Sequence, residues 1–344
     1  MFIHHRIDLL GSLISRIRFA AGLLVTRPLP GRRLRPATSH ELENLAVIHQ
    51  EREAEATSTT ERQNGFRPDG NVMRGRDEHG GVLIINADDW GRDQNNTDRI
   101  RECIACNSVS SVSAMVFMQD SQRAAEIARE HNIDAGLHLN LSQPFSGNCP
   151  PLLVEHQSKL NQYLRGHRFA QAVYHPGLRR SFQYVVKAQV EEFERLYGTP
   201  MSRLDGHHHM HLCANVLLEN LIPDGVVVRR HFSFQPGEKG WGNLLYRRIG
   251  DYILDRRHPG VDHFFSIAPL EPQERLERIF AMARHFVVEA ETHPVNADEY
   301  EYLTGGEFFR QVGDLPVARR FAVSRESSPT VRSSARQIPG RAGS

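Results

Sequence analysis

The sequence is poor in several features, and each shortage excludes a class of protein. It has only four cysteines in 344 residues, too few for a disulfide framework, which fits a reducing, cytoplasmic compartment. Neither sign of charge is in excess, because 42 Lys and Arg residues balance 41 Asp and Glu residues and leave a net charge of +1. That balance gives no electrostatic basis for binding nucleic acid. The most apolar stretch, residues 9–25, is interrupted by Arg16 and Arg18 and falls short of the ~20 apolar residues of a membrane span.

Composition divides the chain into three parts. Residues 1–80 contain a basic Pro/Arg segment and a long polar run, and we expect a largely disordered N-terminal extension. Met73 would make a natural compact start. Residues 81–322 are predicted to form a single catalytic domain, and the Ser/Arg/Pro-rich residues 323–344 a disordered tail.

Within the central part, strand-like and helix-like patterns alternate. Residues 82–86 form a continuous apolar run, as expected for a buried parallel strand. About seven such strand–helix units predict an α/β protein with a closed or nearly closed parallel barrel. Residues 142–180 contain several prolines and are predicted to be irregular. Long loops of this kind usually have a function, for example as a lid.

The most informative run is D-G-H-H-H-M-H at residues 205–211, which holds four histidines in five positions at the end of a predicted strand. Neutral imidazole is the commonest protein ligand for divalent metals. Strict strand alternation would place Asp205, His207, His209 and His211 on one face. Since a metal site needs only two or three protein ligands, some of these histidines must have other roles.

Three more strand ends carry polar residues with catalytic potential. Asp88 and Asp89 end the first strand, His138 lies between two leucines, and His293 precedes a proline after the last strand. The carboxyl ends of parallel strands meet at one rim of the sheet, where α/β folds place their chemistry. Taken singly, the aspartates could cap a helix, His138 could be a core residue, and His293 could be an ordinary loop residue.

Together, the four runs resemble the YdjC-like carbohydrate deacetylase family, which includes chitooligosaccharide deacetylases. The runs are N-A-D-D-W-G at 86–91, G-L-H-L-N-L at 136–141, D-G-H-H-H-M-H at 205–211, and H-P at 293–294. Trp90 stands where the family usually has Phe. The resemblance covers roughly residues 82–321 and implies a deformed (β/α) barrel of the polysaccharide-deacetylase type. It also implies an enzyme that removes acetyl groups from N-acetylated sugars with one divalent metal.

The resemblance gives each candidate residue a role by its position in these runs. The roles are metal ligand for Asp89, His138 and His207, general base for Asp88, general acid for His293, and substrate contact for Arg229, Glu289 and His209. Magnesium is the expected ion, with zinc, manganese and cobalt as alternatives. An N-acetylated sugar is the expected substrate, and a homodimer is left open.

Two other kinds of function stay open from the sequence. One is a different metal-dependent amidohydrolase or phosphoesterase on a similar barrel. An amidohydrolase would place H-x-H after its first strand, where this chain has two aspartates, and a two-metal phosphoesterase would need more clustered carboxylates. The other is a sugar-binding module without catalysis, which loss of the aspartate pair or of His293 would favour; neither is lost.

Overall fold

A computed structural model describes residues 80–166, 169–234 and 238–323. The predicted N-terminal extension, apart from Gly80, and the tail beyond residue 323 lie outside the described residues. No helix in the described ranges is long and apolar enough to cross a membrane.

One compact unit contains the strands and helices given below, and it comprises the described residues of Gly80–Ser233 and those from Trp241 onward.

Seven parallel strands form one sheet in this unit. They are β1 Val82–Trp90, β2 Ser111–Ala114, β3 Ala135–Leu139, β4 Arg203–Gly206, β5 Val227–Val228, β6 His263–Ser266 and β7 Val287–Thr292. Their order in the sheet is β5-β4-β3-β2-β1-β7-β6, which is the chain order around a circle that opens between β5 and β6. A hydrogen bond from the Ser233 amide to the Phe264 carbonyl, 2.8 Å, spans this opening. The predicted α/β fold with a deformed barrel is confirmed.

Helices connect the strands along the described part of the chain. They are α1 Gln94–Ala105, α2 Ser121–Glu130, α3 Pro151–Gly166, α4 Arg179–Tyr197, α5 Ala214–Leu218, α6 Trp241–Asp255, α7 Gln273–Ala283, α8 Ala297–Thr304 and α9 Glu307–Val312. Two 3-10 turns add Pro176–Leu178 and His207–Leu212.

The central strand β1 explains how the sheet orders the site. Every residue of β1 after Val82 is buried, because β2 and β7 pair on either side and the helices α1 and α7 pack against it. All the ladders are parallel, so the strands end at the same rim. Side chains just beyond those ends therefore converge.

The prediction that residues 142–180 are irregular was wrong for helix α3. Pro151 starts this helix, where a missing N–H costs nothing, so the prolines initiate a helix instead of preventing one. Leu153, Gln157, Leu160 and Leu164 are its buried residues, and their spacing is that of one helix face. Gln157 also donates hydrogen bonds to two carbonyls of the loop after β3, which holds α3 at the rim.

Candidate metal centre

The last residues of β1 turn two adjacent carboxylates in different directions. The pairing of β1 with β2 is irregular between Ala87 and Trp90, and Asp89 has a left-handed backbone with φ of 67°. Aspartate tolerates this conformation better than most residues. Asp88 consequently contacts an arginine below the rim, whereas Asp89 contacts histidines from β3 and from the turn after β4.

Asp89, His138 and His207 form a compact, buried cluster. Asp89 Oδ1 lies 3.0 Å from His207 Nδ1 and 3.4 Å from His138 Nε2, and one ligand atom from each residue lies within 4.8 Å of the others. Two ligands bound at ~2.1 Å to one ion at tetrahedral or octahedral angles are ~3.0–3.4 Å apart. Asp89 Oδ1, His138 Nε2 and His207 Nε2 are also buried without a hydrogen-bond partner. The residues therefore fit a divalent metal.

Charge in the cluster favours a cation. Burial alone would raise the pKa of Asp89, but the neighbouring imidazoles of His207 and His138 hold it well below its usual value. Burial alone would lower the pKa of His138, yet Asp88 and Asp205 raise it to about 10. Positive charge is thus stabilised where these carboxylates meet.

Asp205 orients His138, and the sequence analysis gave it no role of its own. His138 Nδ1 lies 2.7 Å from Asp205 Oδ1, so the carboxylate holds that nitrogen and leaves Nε2 directed at Asp89. Asp205 Oδ2 in turn accepts a hydrogen bond from Ser113 Oγ at 2.5 Å. A carboxylate behind a histidine is the usual partner of a metal-binding imidazole. The feature of the sequence that could have indicated this role is the position of Asp205 at the start of residues 205–211.

The prediction that residues 205–211 alternate like a strand was wrong. The strand stops at Gly206, and a 3-10 turn follows in which His208 and His209 have φ of 54° and 55°. A Cβ on Gly206 would lie 2.9 Å from the Cβ of His211, so only glycine allows the turn to fold back so tightly. The histidines therefore point to different places, and His207 is the one that reaches the aspartate.

The other three histidines have separate surroundings. His208 is exposed, and its Nδ1 lies 2.9 Å from Ser142 Oγ. His211 is fully buried, and its Nε2 lies 2.9 Å from the Arg229 carbonyl oxygen. His209 is 27% exposed and packs edge-on against Phe232, with ring centroids 4.7 Å apart. Of these three, His209 combines partial exposure with closeness to the carboxylates, since its Nε2 lies 3.7 Å from a Glu291 oxygen.

Arg229, directly after β5, joins four carboxylates under the rim. Its guanidinium donates to both oxygens of Asp88, at 2.6 and 2.8 Å, and to Glu289 and Glu291 at 2.8 and 3.1 Å. Its Nη2 lies 2.9 Å from Asp205 Oδ2. Arg229 and Glu289 are only 2% and 1% exposed. Sequence reasoning expected both to contact substrate; the structure places them beneath Asp88, and a substrate contact stays a prediction.

His293 lies just past β7, which pairs with β1 up to Ala87 and Thr292, so it lies beside the end of β1 that carries the two aspartates. Its backbone N–H donates to Glu299 Oε2 at 2.8 Å, which anchors the start of the loop. The side chain is half-buried. Burial lowers the pKa of His293, but Asp88 and Glu291 outweigh that effect and raise it. The structure thus brings His293 within electrostatic range of Asp88. These are the two residues that were predicted to move protons.

Comparison with known proteins identifies the family. The model of the family described as YdjC-like protein matches residues 82–311, well over half of the chain. The chain belongs to the YdjC-like family. The matched range contains all seven strands and every predicted site residue. The resemblance inferred from the four motifs is therefore confirmed.

Several relatives of this YdjC-like chain carry functional names. It is 33% identical over 175 residues to a carbohydrate deacetylase of Mus musculus, covering 48% of this chain and 53% of that one. It is 28% identical over 245 residues to a carbohydrate deacetylase of Brevibacillus brevis, covering 67% and 87%. With a chitooligosaccharide deacetylase of Serratia marcescens it shares 30% identity over 132 residues, covering 38% and 51%. The chain spans about half the length of the mouse and Serratia relatives.

Proposed function

We propose that this chain is a metal-dependent hydrolase that removes acetyl groups from N-acetylated sugars. The observation that carries the proposal is the buried cluster of Asp89, His138 and His207, in which one ligand atom of each residue lies within 4.8 Å of the others. The names of the mouse, Brevibacillus and Serratia relatives support the substrate class. The catalytic domain would comprise residues 81–322.

Asp89, His138 and His207 would hold the ion, with magnesium as the expected metal and zinc, manganese or cobalt as alternatives. A divalent metal bound there would polarise the acetamide carbonyl and stabilise the charge that develops on its oxygen. Asp205 would keep His138 in the orientation and tautomer that present Nε2.

Asp88 is suited to act as the general base because hydrogen bonds fix the position of its carboxylate and still leave a lone pair that can take a proton. Its Oδ1 accepts from Arg229 Nη2 and Asn86 Nδ2, whereas its Oδ2 accepts from Arg229 Nη1 only. A carboxylate oxygen has two lone pairs, so these contacts leave one on Oδ2. That lone pair would take a proton from the attacking water. The contacts also orient the carboxylate, so we assign Arg229 a positioning role here.

His293 is suited to act as the general acid. Its raised pKa keeps a larger share of the imidazole protonated near neutral pH than in a free histidine. The side chain is half-buried at the rim, where it would donate a proton to the departing amine. His209 and the open side of the rim would contact the sugar. In this assignment the base is on β1 and the acid directly follows β7, the strand that pairs with β1.

The test is release of acetate from N-acetylated mono- and disaccharides by the purified protein, after chelation and after metals are added back one at a time. His207→Ala should lose both bound metal, measured by mass spectrometry of the protein's metal content, and turnover. His285→Ala, an exposed histidine at the far end of β7, is the matched control and should keep both. Full turnover in metal-free protein would contradict the proposal, as would cleavage of phosphoesters in place of acetamides.

A further inference from the structure

The interior of the barrel beneath the rim is polar. In β2, Ser111 and Ser113 alternate with two apolar residues, so the two serines share one face of the strand. Hydrogen bonds join that face to Asn86 on β1 and to Asp205 on β4, and these four side chains are at most 2% exposed. Side chains inside a parallel barrel are usually branched and apolar. Because buried polar groups cost free energy unless they are paired, a polar interior here indicates a role beyond packing.

Asn86 uses its full hydrogen-bonding capacity in this interior. Its Oδ1 accepts from Ser111 Oγ at 2.7 Å and from Arg203 Nη1 at 2.8 Å. Because an arginine can only donate, the amide oxygen must face Arg203 and the NH2 group must face the other way. That NH2 group donates to Asp88 Oδ1 at 2.9 Å and to Ser113 Oγ at 2.7 Å. The partners of the amide therefore fix its orientation.

The orientation of Asn86 in turn decides where the Ser113 hydroxyl points. The NH2 group of Asn86 cannot accept a hydrogen bond, so the single hydrogen of the hydroxyl is left for another acceptor. That acceptor is Asp205 Oδ2, at 2.5 Å. Asp205 Oδ1 lies 2.7 Å from His138 Nδ1. Since an ionised carboxylate can only accept, His138 donates from Nδ1, and Nε2 is the atom that can bind a metal.

Asn86 and Ser113 thus join two parts of the site. Asn86 holds Asp88, the proposed base, and Ser113 holds Asp205, the carboxylate that orients His138. Buried hydrogen-bond networks in which every member is paired hold those members in one arrangement, and metal ligands depend on such support behind them. Asn86 and Ser113 are both 0% exposed, so their effect on the chemistry can only pass through the residues they contact.

We propose that Ser113 and Asn86 are positioning residues of the metal site. Ser113 acts through Asp205 to keep His138 Nε2 directed at the ion. Asn86 fixes the direction of the Ser113 hydroxyl and at the same time holds Asp88. This inference rests on the proposed function and deepens it, because it makes metal affinity and turnover depend on two side chains that reach neither solvent nor substrate.

The experiment measures the affinity of the metal-free protein for Zn²⁺ by competition with a chelating dye. It also measures kcat and KM for an N-acetylated sugar, with the most active divalent metal at saturation. Ser113→Ala should weaken Zn²⁺ binding about tenfold and lower kcat with little change in KM, because the hydroxyl does not touch substrate. Ser108→Ala is the matched control: this serine is also 0% exposed, but its hydroxyl donates to the Cys103 carbonyl at 3.0 Å. It should leave Zn²⁺ affinity and kcat unchanged.

Two further variants test the path of the effect. If Ser113 acts through Asp205, Zn²⁺ affinity of the double variant Ser113→Ala, Asp205→Asn should lie within about twofold of that of Asp205→Asn alone. Asn86→Asp keeps the shape of the side chain but replaces the NH2 group with an acceptor. The Ser113 hydroxyl would then turn from Asp205 to residue 86, so Zn²⁺ affinity should fall at least as far as in Ser113→Ala. Each variant is measured at a temperature at which its melting curve shows it folded.

The outcomes separate this inference from the proposed function. If the unaltered protein deacetylates sugars but Ser113→Ala matches Ser108→Ala in Zn²⁺ affinity and kcat, the positioning role is refuted and the deacetylase activity stands. Losses of affinity that multiply in the double variant also refute it, because Ser113 would then act independently of Asp205. If the unaltered protein binds Zn²⁺ but deacetylates no sugar, the proposed function fails, and the Zn²⁺ affinities of the variants still decide the positioning role.

Discussion

Replacing Arg229 with methionine tests whether this one guanidinium stabilises the group of buried carboxylates beneath the rim. Arg229 is fully buried and donates to, or lies against, carboxylates of Asp88, Asp205, Glu289 and Glu291 at 2.6–3.1 Å. Methionine has a similar length but no charge, so the change would leave these carboxylates buried without their shared partner. Removing one member of a buried ion pair typically destabilises a protein by ~3–5 kcal/mol. For a domain of this size that is a fall of ~6–20 °C in melting temperature.

The assay is thermal unfolding of Arg229→Met beside Arg230→Met, the adjacent arginine. Arg230 is 23% exposed, donates to two carbonyls, and lies 3.7 Å from Asp251 and Asp255, so its loss should cost only about 1 kcal/mol. The fall in melting temperature that Arg229→Met causes, relative to the unaltered protein, should become smaller as the pH is lowered from about 8 to about 5. Burial raises the pKa of Glu289 and of Glu291 and Arg229 lowers both, so without Arg229 both folded-state pKa values rise further above the unfolded value, and the resulting penalty shrinks as pH falls below them. Melting temperatures for the two variants within the ~2–4 °C equivalent of 1 kcal/mol would refute the reasoning.

Three further predictions concern the site's proton and metal chemistry. Asp205→Asn should weaken metal binding ~10–100-fold through His138, measured by calorimetric titration; unchanged affinity would show that Asp205 does not position the ligand. Asp88→Asn and His293→Ala should each lower kcat ~10²–10⁴-fold with bound metal retained, and loss of metal in Asp88→Asn would make Asp88 a ligand. Burial lowers the pKa of His211 to about 4 against the pull of its hydrogen bond with the Arg229 carbonyl. The unfolded chain takes up that proton near pH 6.5, so up to ~3 kcal/mol of stability should be lost as pH falls from about 6.5 to about 4. His211→Gln should flatten that dependence in denaturant unfolding, and an unchanged slope would exclude His211 as its source.

The fold and the location of the site could be predicted because both depend on patterns along the chain. The apolar run of β1 and the regular alternation of strands and helices predict a parallel sheet, and a parallel sheet places all strand ends at one rim. That geometry predicts that the aspartate pair, His138 and the histidine run converge, although they lie far apart in sequence, whereas the choice of Asp89, His138 and His207 as ligands came from the family resemblance. The structure adds that their ligand atoms converge.

What could not be predicted depends on contacts between distant residues or on backbone geometry. Nothing near Arg229 in the sequence indicates that it meets Asp88, 141 residues away. The left-handed turn at His208 depends on how closely Gly206 approaches His211 in the folded chain. Alternation along the histidine run was a reasonable expectation for a strand, but the strand ends at Gly206, immediately before the first histidine.

The charges of the buried residues beneath the rim bear both on Arg229 and on the proposed metal site. Five buried carboxylates meet in this region, from Asp88, Asp89, Asp205, Glu289 and Glu291. Among the described residues, three arginines act on them, the buried Arg229 and Arg203 and the 32% exposed Arg92, which lies 3.0 Å from Asp89 Oδ2, so the carboxylates outnumber the arginines. Burial, against the pull of Arg229, raises the pKa of Glu289 to about 7, which shows how strongly the region resists further negative charge. Arg229 lies beneath the rim, in contact with Asp88. Asp89, His138 and His207 each offer one ligand atom within 4.8 Å of the others, and these atoms could bind a cation there.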